Sequence, residues 1–155
     1  MSIDTVVVRH VRAEELDALL ELYAQMESGE SPMPAAGRLD DFWRDALANP
    51  LLHYLGAEVD GRLAASCILV IVPNLIHGTR PYALIENVVT DQAHRRRGLG
   101  TAVLRQALRI AWDADCYKVM LLTGREEPGI HAFYENVGFA KGSKTAFTAD
   151  APDRG

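Results

Sequence analysis

Two hydrophobic periods alternate along this chain, and the points where one gives way to the other mark its elements. Val6 to Val8 is a short apolar run that predicts a strand. From Ala13 to Met26 the spacing turns helical and places Leu16, Leu19, Leu20 and Tyr23 on one face. Ser28 to Arg38, rich in Gly, Pro and Ser, continues neither element and reads as a surface loop before a second helix over Leu39 to Leu47. His53 to Val59 and Leu63 to Val72 flank an Asp-Gly-Arg turn and predict two antiparallel strands, the second closed by Pro73. Tyr82 to Val89 is the next strand, with Leu84, Glu86 and Val88 on one face and Ile85, Asn87 and Val89 on the other. Gly98 to Ala114 is helical: Val103, Leu104, Ala107, Leu108 and Ala111 turn inward, while Arg105, Arg109 and Asp113 stay outside. A strand over Lys118 to Leu122, a short helix over His131 to Asn136 and a final hairpin over Phe139 to Thr148 complete the pattern.

This order predicts a mixed α/β, or α+β, fold in one domain over residues 1–149 with a polar tail over 150–155. A chain of 155 residues, 48% hydrophobic, buries about two thirds of its unfolded surface, enough for a core with a cleft. The formal net charge of −5 argues against a general nucleic-acid binder, which needs a broad basic face. The first residues lack the form of a signal peptide, and the longest apolar run, Leu63 to Val72, is too short to span a bilayer, so the expected setting is the cytoplasm, with no membrane partner. Cys67 and Cys116 each sit in apolar surroundings and read as core thiols. The five histidines have no metal-ligand spacing, so no metal site is expected. His94 alone is kept as a minor ligand contact.

Composition leaves room only for a local cationic site, and one stands out. In His-Arg-Arg-Arg-Gly-Leu-Gly, residues 94–100, three arginines and two glycines join the end of a strand to the start of a helix. Cations at a helix N-terminus oppose the macrodipole, each by roughly 0.3–1 kcal/mol. A bound polyanion removes that conflict, free N–H groups of the first turn point toward it, and glycine lets a phosphate approach the backbone. The string is neither a Rossmann fingerprint nor a P-loop. Taken alone it fits a solvated basic turn equally well.

The sequence resembles the GNAT superfamily of acetyl-CoA-dependent N-acetyltransferases. The RxxGxG motif of that family stands here as Arg95, Arg96, Arg97, Gly98, Leu99 and Gly100. The strand ALIENVV before it, CYKVMLL after it and FYENVGF, Phe133 to Phe139, follow in the family's order. The resemblance, which covers roughly Tyr82 to Phe139, implies an acyl-CoA N-acyltransferase fold with a central, mostly antiparallel twisted sheet flanked by helices. It implies that backbone groups of Val88, Val89 and Thr90 pair with the pantetheine arm of acetyl-CoA, that Arg95 to Thr101 hold the pyrophosphate, and that the protein is a homodimer.

Direct acyl transfer needs a neutral amine, a donor for the developing oxyanion and a proton for the departing thiolate. The resemblance sets Tyr134 beside the coenzyme sulfur, where a phenol of pKa about 10 can protonate a thiolate of conjugate-acid pKa about 8.5. Glu86, flanked on its own face by Leu84 and Val88, is expected to be partly desolvated, which raises its pKa and suits it to act as base. A structural acceptor role for the same carboxylate stays open.

Within the superfamily the strings look most like glucosamine-phosphate N-acetyltransferases, with departures. Leu122, Thr123 and Gly124 replace the acidic residue those enzymes have after the CYK strand, and Glu127 stands where many members place a coenzyme-binding Asn. Acceptor specificity is expected from Ser28 to Arg38 and from Asn74 to Arg80, with Glu27, Glu30 and Asp40 attracting a cationic amine. The expected activity is acetyl transfer from acetyl-CoA to a primary amine of a small molecule by direct transfer in a ternary complex. Cys116, beside Asp113 and Asp115, is not expected to serve as a nucleophile. The alternative is a non-catalytic acyl-CoA-binding sensor or interaction domain of the same fold.

Overall fold

The computed structural model describes residues 5–26 and 32–153. The chain forms two compact units, Met1–Leu121 and Leu122–Gly155. In the first, β1 (Val6–His10) is followed by a 3₁₀ turn (Ala13–Glu15), α1 (Leu16–Tyr23), α2 (Ala36–Ala48), β2 (Leu52–Val59), β3 (Arg62–Val72), β4 (Tyr82–Thr90), a second 3₁₀ turn (Gln92–His94), α3 (Leu99–Asp113) and β5 (Val119–Leu121). The strands form one sheet in the order β1-β2-β3-β4-β5. β1 to β4 are antiparallel, and β5 runs parallel to β4 after the α3 crossover. The mixed α/β class and the mostly antiparallel sheet match the expectation from sequence.

Helices cover both faces of the sheet, which explains why β3 reads as an almost unbroken apolar run. On one face Leu19 and Leu22 of α1, Trp43 and Ala46 of α2, Tyr54, Leu63, Ile68 and Val89 form a single buried cluster. By strand alternation Leu55, Cys67, Leu69 and Ile85 face the other way, toward the α3 side chains Val103, Leu104, Ala107 and Ala111, and all eight are buried. Leu22, which the sequence reading passed over, is 2% exposed, whereas Leu20 is only half-buried. The tight turn after β2 uses Asp60 at φ 49° and Gly61 at φ 80°, the two left-handed residues that suit a right-twisted hairpin.

The second unit contains α4 (Ile130–Val137). No strand occurs among its described residues, so the hairpin expected over Phe139 to Thr148 is not formed. Phe147 there is 92% exposed. A two-stranded element without a buried face is marginal, and every residue of this segment after Phe139 is exposed.

Candidate active site

The first unit brings together the end of β4, the turn that follows it and the start of α3. β5 pairs with β4 only over Ala83↔Val119, Leu84↔Met120 and Ile85↔Leu121, although β4 continues to Thr90. The β5-facing edge of β4 is therefore without a β5 partner from Glu86 onward, and this is the stretch that holds Val88, Val89 and Thr90. Toward β3 the register slips: Ser66 pairs with Val89 and Ile68 with Glu86, so Asn87 and Val88 together oppose Cys67. This is a β-bulge, and Asn87 makes it in the left-handed region at φ 51°, a conformation asparagine tolerates better than most residues.

The bulge corrects the reading of β4. Val89 belongs to the α1–α2 cluster, whereas Ile85 points to α3, so Ile85, Asn87 and Val89 do not share a face. Glu86 lies opposite Ile68, on the α1–α2 face with Leu84, but the turn at Asn87 takes Val88 off that face and removes one wall of the expected apolar enclosure. Glu86 is exposed, not desolvated.

Beyond Thr90, the Asp91 side chain caps the 3₁₀ turn by accepting from Ala93 N at 2.9 Å. The same carboxylate takes Gln25 Nε2 at 3.0 Å and lies 3.1 Å from His94 Nδ1. The Gln25 amide, His94 and Ala93 N–H together hold the Asp91 carboxyl below the usual carboxylate range. Gln25 Oε1 in turn accepts from Gln92 N at 2.9 Å. The end of α1 is thus fastened to the β4–α3 turn by two hydrogen bonds. The sequence reading missed this link; its only local signal was an Asp positioned to cap the turn.

Arg95, Arg96 and Arg97 are exposed, with Arg96 at φ 62°. Gly98 is the N-cap of α3 at φ 76°, and nothing within 4 Å would obstruct a Cβ there, so the reason for glycine is the backbone conformation. α3 starts at Leu99, one residue later than expected. Its first bond among these residues runs from Ala102 N to Gly98 O at 3.0 Å, which leaves the N–H groups of Leu99, Gly100 and Thr101 without an intrahelical acceptor. Leu99 and Gly100 are buried and root the turn in the core. An edge of unpaired backbone thus leads into a turn whose N–H groups suit an anion.

In the second unit Tyr134 is half-buried on α4, with its ring 4.9 Å from that of Phe133 and edge-on to Phe139 at 6.3 Å. Of the two loops expected to choose the acceptor, residues 28–31 of the first lie outside the described residues, as do Glu27 and Glu30; Asp40 is exposed on α2. Asn74 to Arg80 precedes the start of β4, at the opposite end of that strand from the Arg95–Gly98 turn. Arg80 bonds Asp115 and the Cys116 carbonyl, and His77 stacks on Tyr117 at 4.2 Å, so this loop braces the entry to β5. Cys116 is 2% exposed, and burial, reinforced by Asp115, raises its thiol pKa. Cys67, fully buried, is pushed up to about 12. Among the described residues no cluster of three His, Cys, Asp or Glu side chains is arranged to hold a metal, and no helix is long and apolar enough to cross a membrane.

The family model described as the acetyltransferase (GNAT) family matches residues 16–139, which takes in β4, the Arg95–Gly98 turn and Tyr134. The chain belongs to the GNAT acetyltransferase family. It is therefore an acetyltransferase, of a family whose co-substrate is acetyl-CoA. A Bacillus subtilis protein described as a ribosomal-protein-alanine N-acetyltransferase is 28% identical over 148 residues, 94% of this chain and 89% of that protein. A glucosamine 6-phosphate N-acetyltransferase of Trypanosoma brucei brucei is 37% identical over 79 residues, 51% of this chain and 52% of that enzyme. A solved Agrobacterium tumefaciens str. C58 structure described as an acetyltransferase superposes with a TM-score of 0.85 at 42% identity, covering 94% of this chain and 99% of that one.

Proposed function

We propose that this GNAT enzyme moves the acetyl group of acetyl-CoA to a primary amine of a small molecule by direct transfer in a ternary complex. The observation that carries the donor half is the end of β4: pairing with β5 stops at Ile85, and the freed edge leads to the left-handed Gly98 turn. In this reading the pantetheine amides bond the backbone of Val88, Val89 and Thr90 as an added strand would. Arg95, Arg96 and Arg97, with the N–H groups of Leu99, Gly100 and Thr101, hold the pyrophosphate.

The chemistry then balances. The incoming primary ammonium gives one proton to Glu86, directly or through water, and the lone pair so freed forms the new C–N bond at the thioester carbon. The C–S bond breaks, the departing thiolate takes a proton from the Tyr134 phenol, and the phenolate recovers, through water, the second proton that the nitrogen sheds on becoming an amide. An exposed Glu86 favours relay through water, since solvent reaches it in the absence of substrate. In this proposal both units act as one domain with residues 150–155 as a tail. Two free, buried thiols fit a reducing, cytoplasmic setting, and the family resemblance supplies the expectation of a homodimer.

The test is thiol release from acetyl-CoA with a panel of glucosamine 6-phosphate, spermidine, sisomicin and an alanine-initiated peptide. Turnover with a small amine is expected, with Glu86→Gln and Tyr134→Phe each lowering kcat by about 10²–10⁴ while acetyl-CoA binding persists. Binding of acetyl-CoA without release of thiol by any of these amines would instead favour an acyl-CoA sensor. Turnover with the peptide alone would move the acceptor to a protein N-terminus.

A further inference from the structure

The outer face of α3 carries more positive charge than the turn at its start. Residues 92–112 hold five of the 16 Lys and Arg of the chain, namely Arg95, Arg96, Arg97, Arg105 and Arg109, and none of its 21 Asp and Glu. Several arginines elsewhere in the first unit meet carboxylates: Arg9 bonds Glu15 and Glu58, and Arg80 bonds Asp115. Arg95, Arg96, Arg105 and Arg109 are all exposed and make no ion pair among the described residues. A face that serves only solubility mixes the two signs, as α2 does, where Arg44 lies between Asp41 and Asp45 and pairs with both. The α3 face has no such partners.

Two of these arginines stand beyond the N–H groups of the first turn. Val103, Leu104, Ala107 and Ala111 are buried against the sheet, and Arg105 and Arg109, one turn apart, share the opposite side of the helix. At 1.5 Å per residue, the Cα of Arg105 lies about 10 Å along the axis from Gly98, and that of Arg109 about 16 Å. Helical side chains lean toward the N-terminus, so Arg105 leans back toward the Arg95–Gly98 turn. Arg109 Nη1 donates to Gln106 Oε1 at 3.2 Å, which draws it the same way. With a Debye length of about 8 Å at physiological salt, Arg105 acts strongly on an anion beside the turn, and Arg109 acts from the edge of the screened range.

We propose that Arg105 binds the 3′-phosphate of coenzyme A, and that Arg109 adds a longer-range attraction for it. The inference rests on the coenzyme-binding half of the reading above. Coenzyme A carries two phosphate groups at its nucleotide end, the pyrophosphate and a monoester on the ribose next to it. The N–H groups of the first turn and the arginines before it suit the first, and Arg105 suits the second as a charge-assisted donor. A cluster confined to one turn and one helix face fits a ligand with its phosphates gathered at one end, whereas a long polyanion needs a broad basic surface.

Calorimetry with acetyl-CoA and with its 3′-dephospho analogue, at low ionic strength, tests this. The wild type should bind acetyl-CoA about tenfold more tightly than the analogue. Arg105→Gln should lose about that factor for acetyl-CoA and stay within about twofold for the analogue, so that the preference disappears. Its melting temperature without ligand should stay within about 2 °C of the wild type, since the side chain is exposed and has no internal partner. Arg109→Gln should weaken acetyl-CoA about twofold at low salt and not at about 1 M, where the Debye length is about 3 Å. A wild type that binds both donors equally would overturn this proposal alone. An Arg105→Gln variant that keeps the wild-type preference, or that weakens both donors by the same factor, would do so too. A wild type that binds neither donor would overturn the coenzyme reading and this inference with it.

Discussion

Gly98→Ala is the most direct probe of the turn proposed to hold the pyrophosphate, because the structure separates its two possible costs. No atom lies within 4 Å of the added methyl, so there is no steric cost. What remains is the backbone, at φ 76° and ψ 10°, where an L-residue costs about 1–2 kcal/mol. Alanine also restricts the unfolded chain, which returns about 0.4–1 kcal/mol. The net loss spans about 0–1.6 kcal/mol and centres near 0.8 kcal/mol. If the turn keeps its shape, the melting temperature falls by about 2–3 °C at that centre and by up to about 6 °C for a chain of this size. If the turn instead yields, the N–H groups of Leu99, Gly100 and Thr101 shift, and the same energy appears as about a fourfold loss of acetyl-CoA affinity, up to about 15-fold. Arg96 is also left-handed, at φ 62°, so the turn cannot relax at Gly98 without disturbing a second such residue. Differential scanning calorimetry with isothermal titration of acetyl-CoA measures both readouts on one sample. Gly98→Asn, which accepts the left-handed region more readily, should recover much of the loss. If Gly98→Ala matches the wild type in both melting and affinity, or if Gly98→Asn is the worse variant, the left-handed cap is not what glycine supplies here.

Three further outcomes are expected. Gly56→Ala in β2 should lower the melting temperature by about 3–10 °C, because the new methyl would collide with Leu63 Cδ1 and press on Val11 Cγ2 at 3.3 Å in a packed core. Thermal stability should fall as the pH drops below about 6.5: burial and the neighbouring His10, 3.0 Å away, lower the folded pKa of His53, so the unfolded chain takes up that proton first. Melting curves of His53→Gln between pH 8 and 5 should be flatter, since the loss tied to Glu15, whose pKa is lowered first by its hydrogen bond to Arg9, starts only below about pH 4.5. Cys116→Ala should release coenzyme thiol at near wild-type rate, and loss of turnover in a folded variant would revive a covalent route.

Much of the fold could be read from the sequence because local and tertiary preferences agree there. Asp60-Gly61 between two apolar runs demands the tight turn it makes, and the inward face of α3 follows from spacing alone. The bulge in β4 is different. The residues from Ala83 to Val89 alternate without a visible break, and the slip arises only where Asn87 and Val88 meet the single residue Cys67 across the ladder. One extra residue in a partnered strand changes which side chains share a face, so the enclosure expected around Glu86 was lost. The Gln25–Asp91 bond joins positions 66 residues apart and leaves no periodic trace.

The basic turn, in contrast, announced itself through a local conflict that the fold preserves. α3 has no acidic residue in its first turn, and exposed arginines precede its N-cap, the reverse of what the macrodipole favours. The chain as a whole carries a formal charge of −5, so a positive patch is not a by-product of composition. A cation at a helix N-terminus costs roughly 0.3–1 kcal/mol, and in the proposed reading the coenzyme pyrophosphate offsets that cost by presenting negative charge to the arginines and the helix end together. In the proposed reading the coenzyme therefore takes the edge of β4 and the turn, where the arginines and the helix N–H groups meet it, and the amine takes the face of the sheet that carries Glu86.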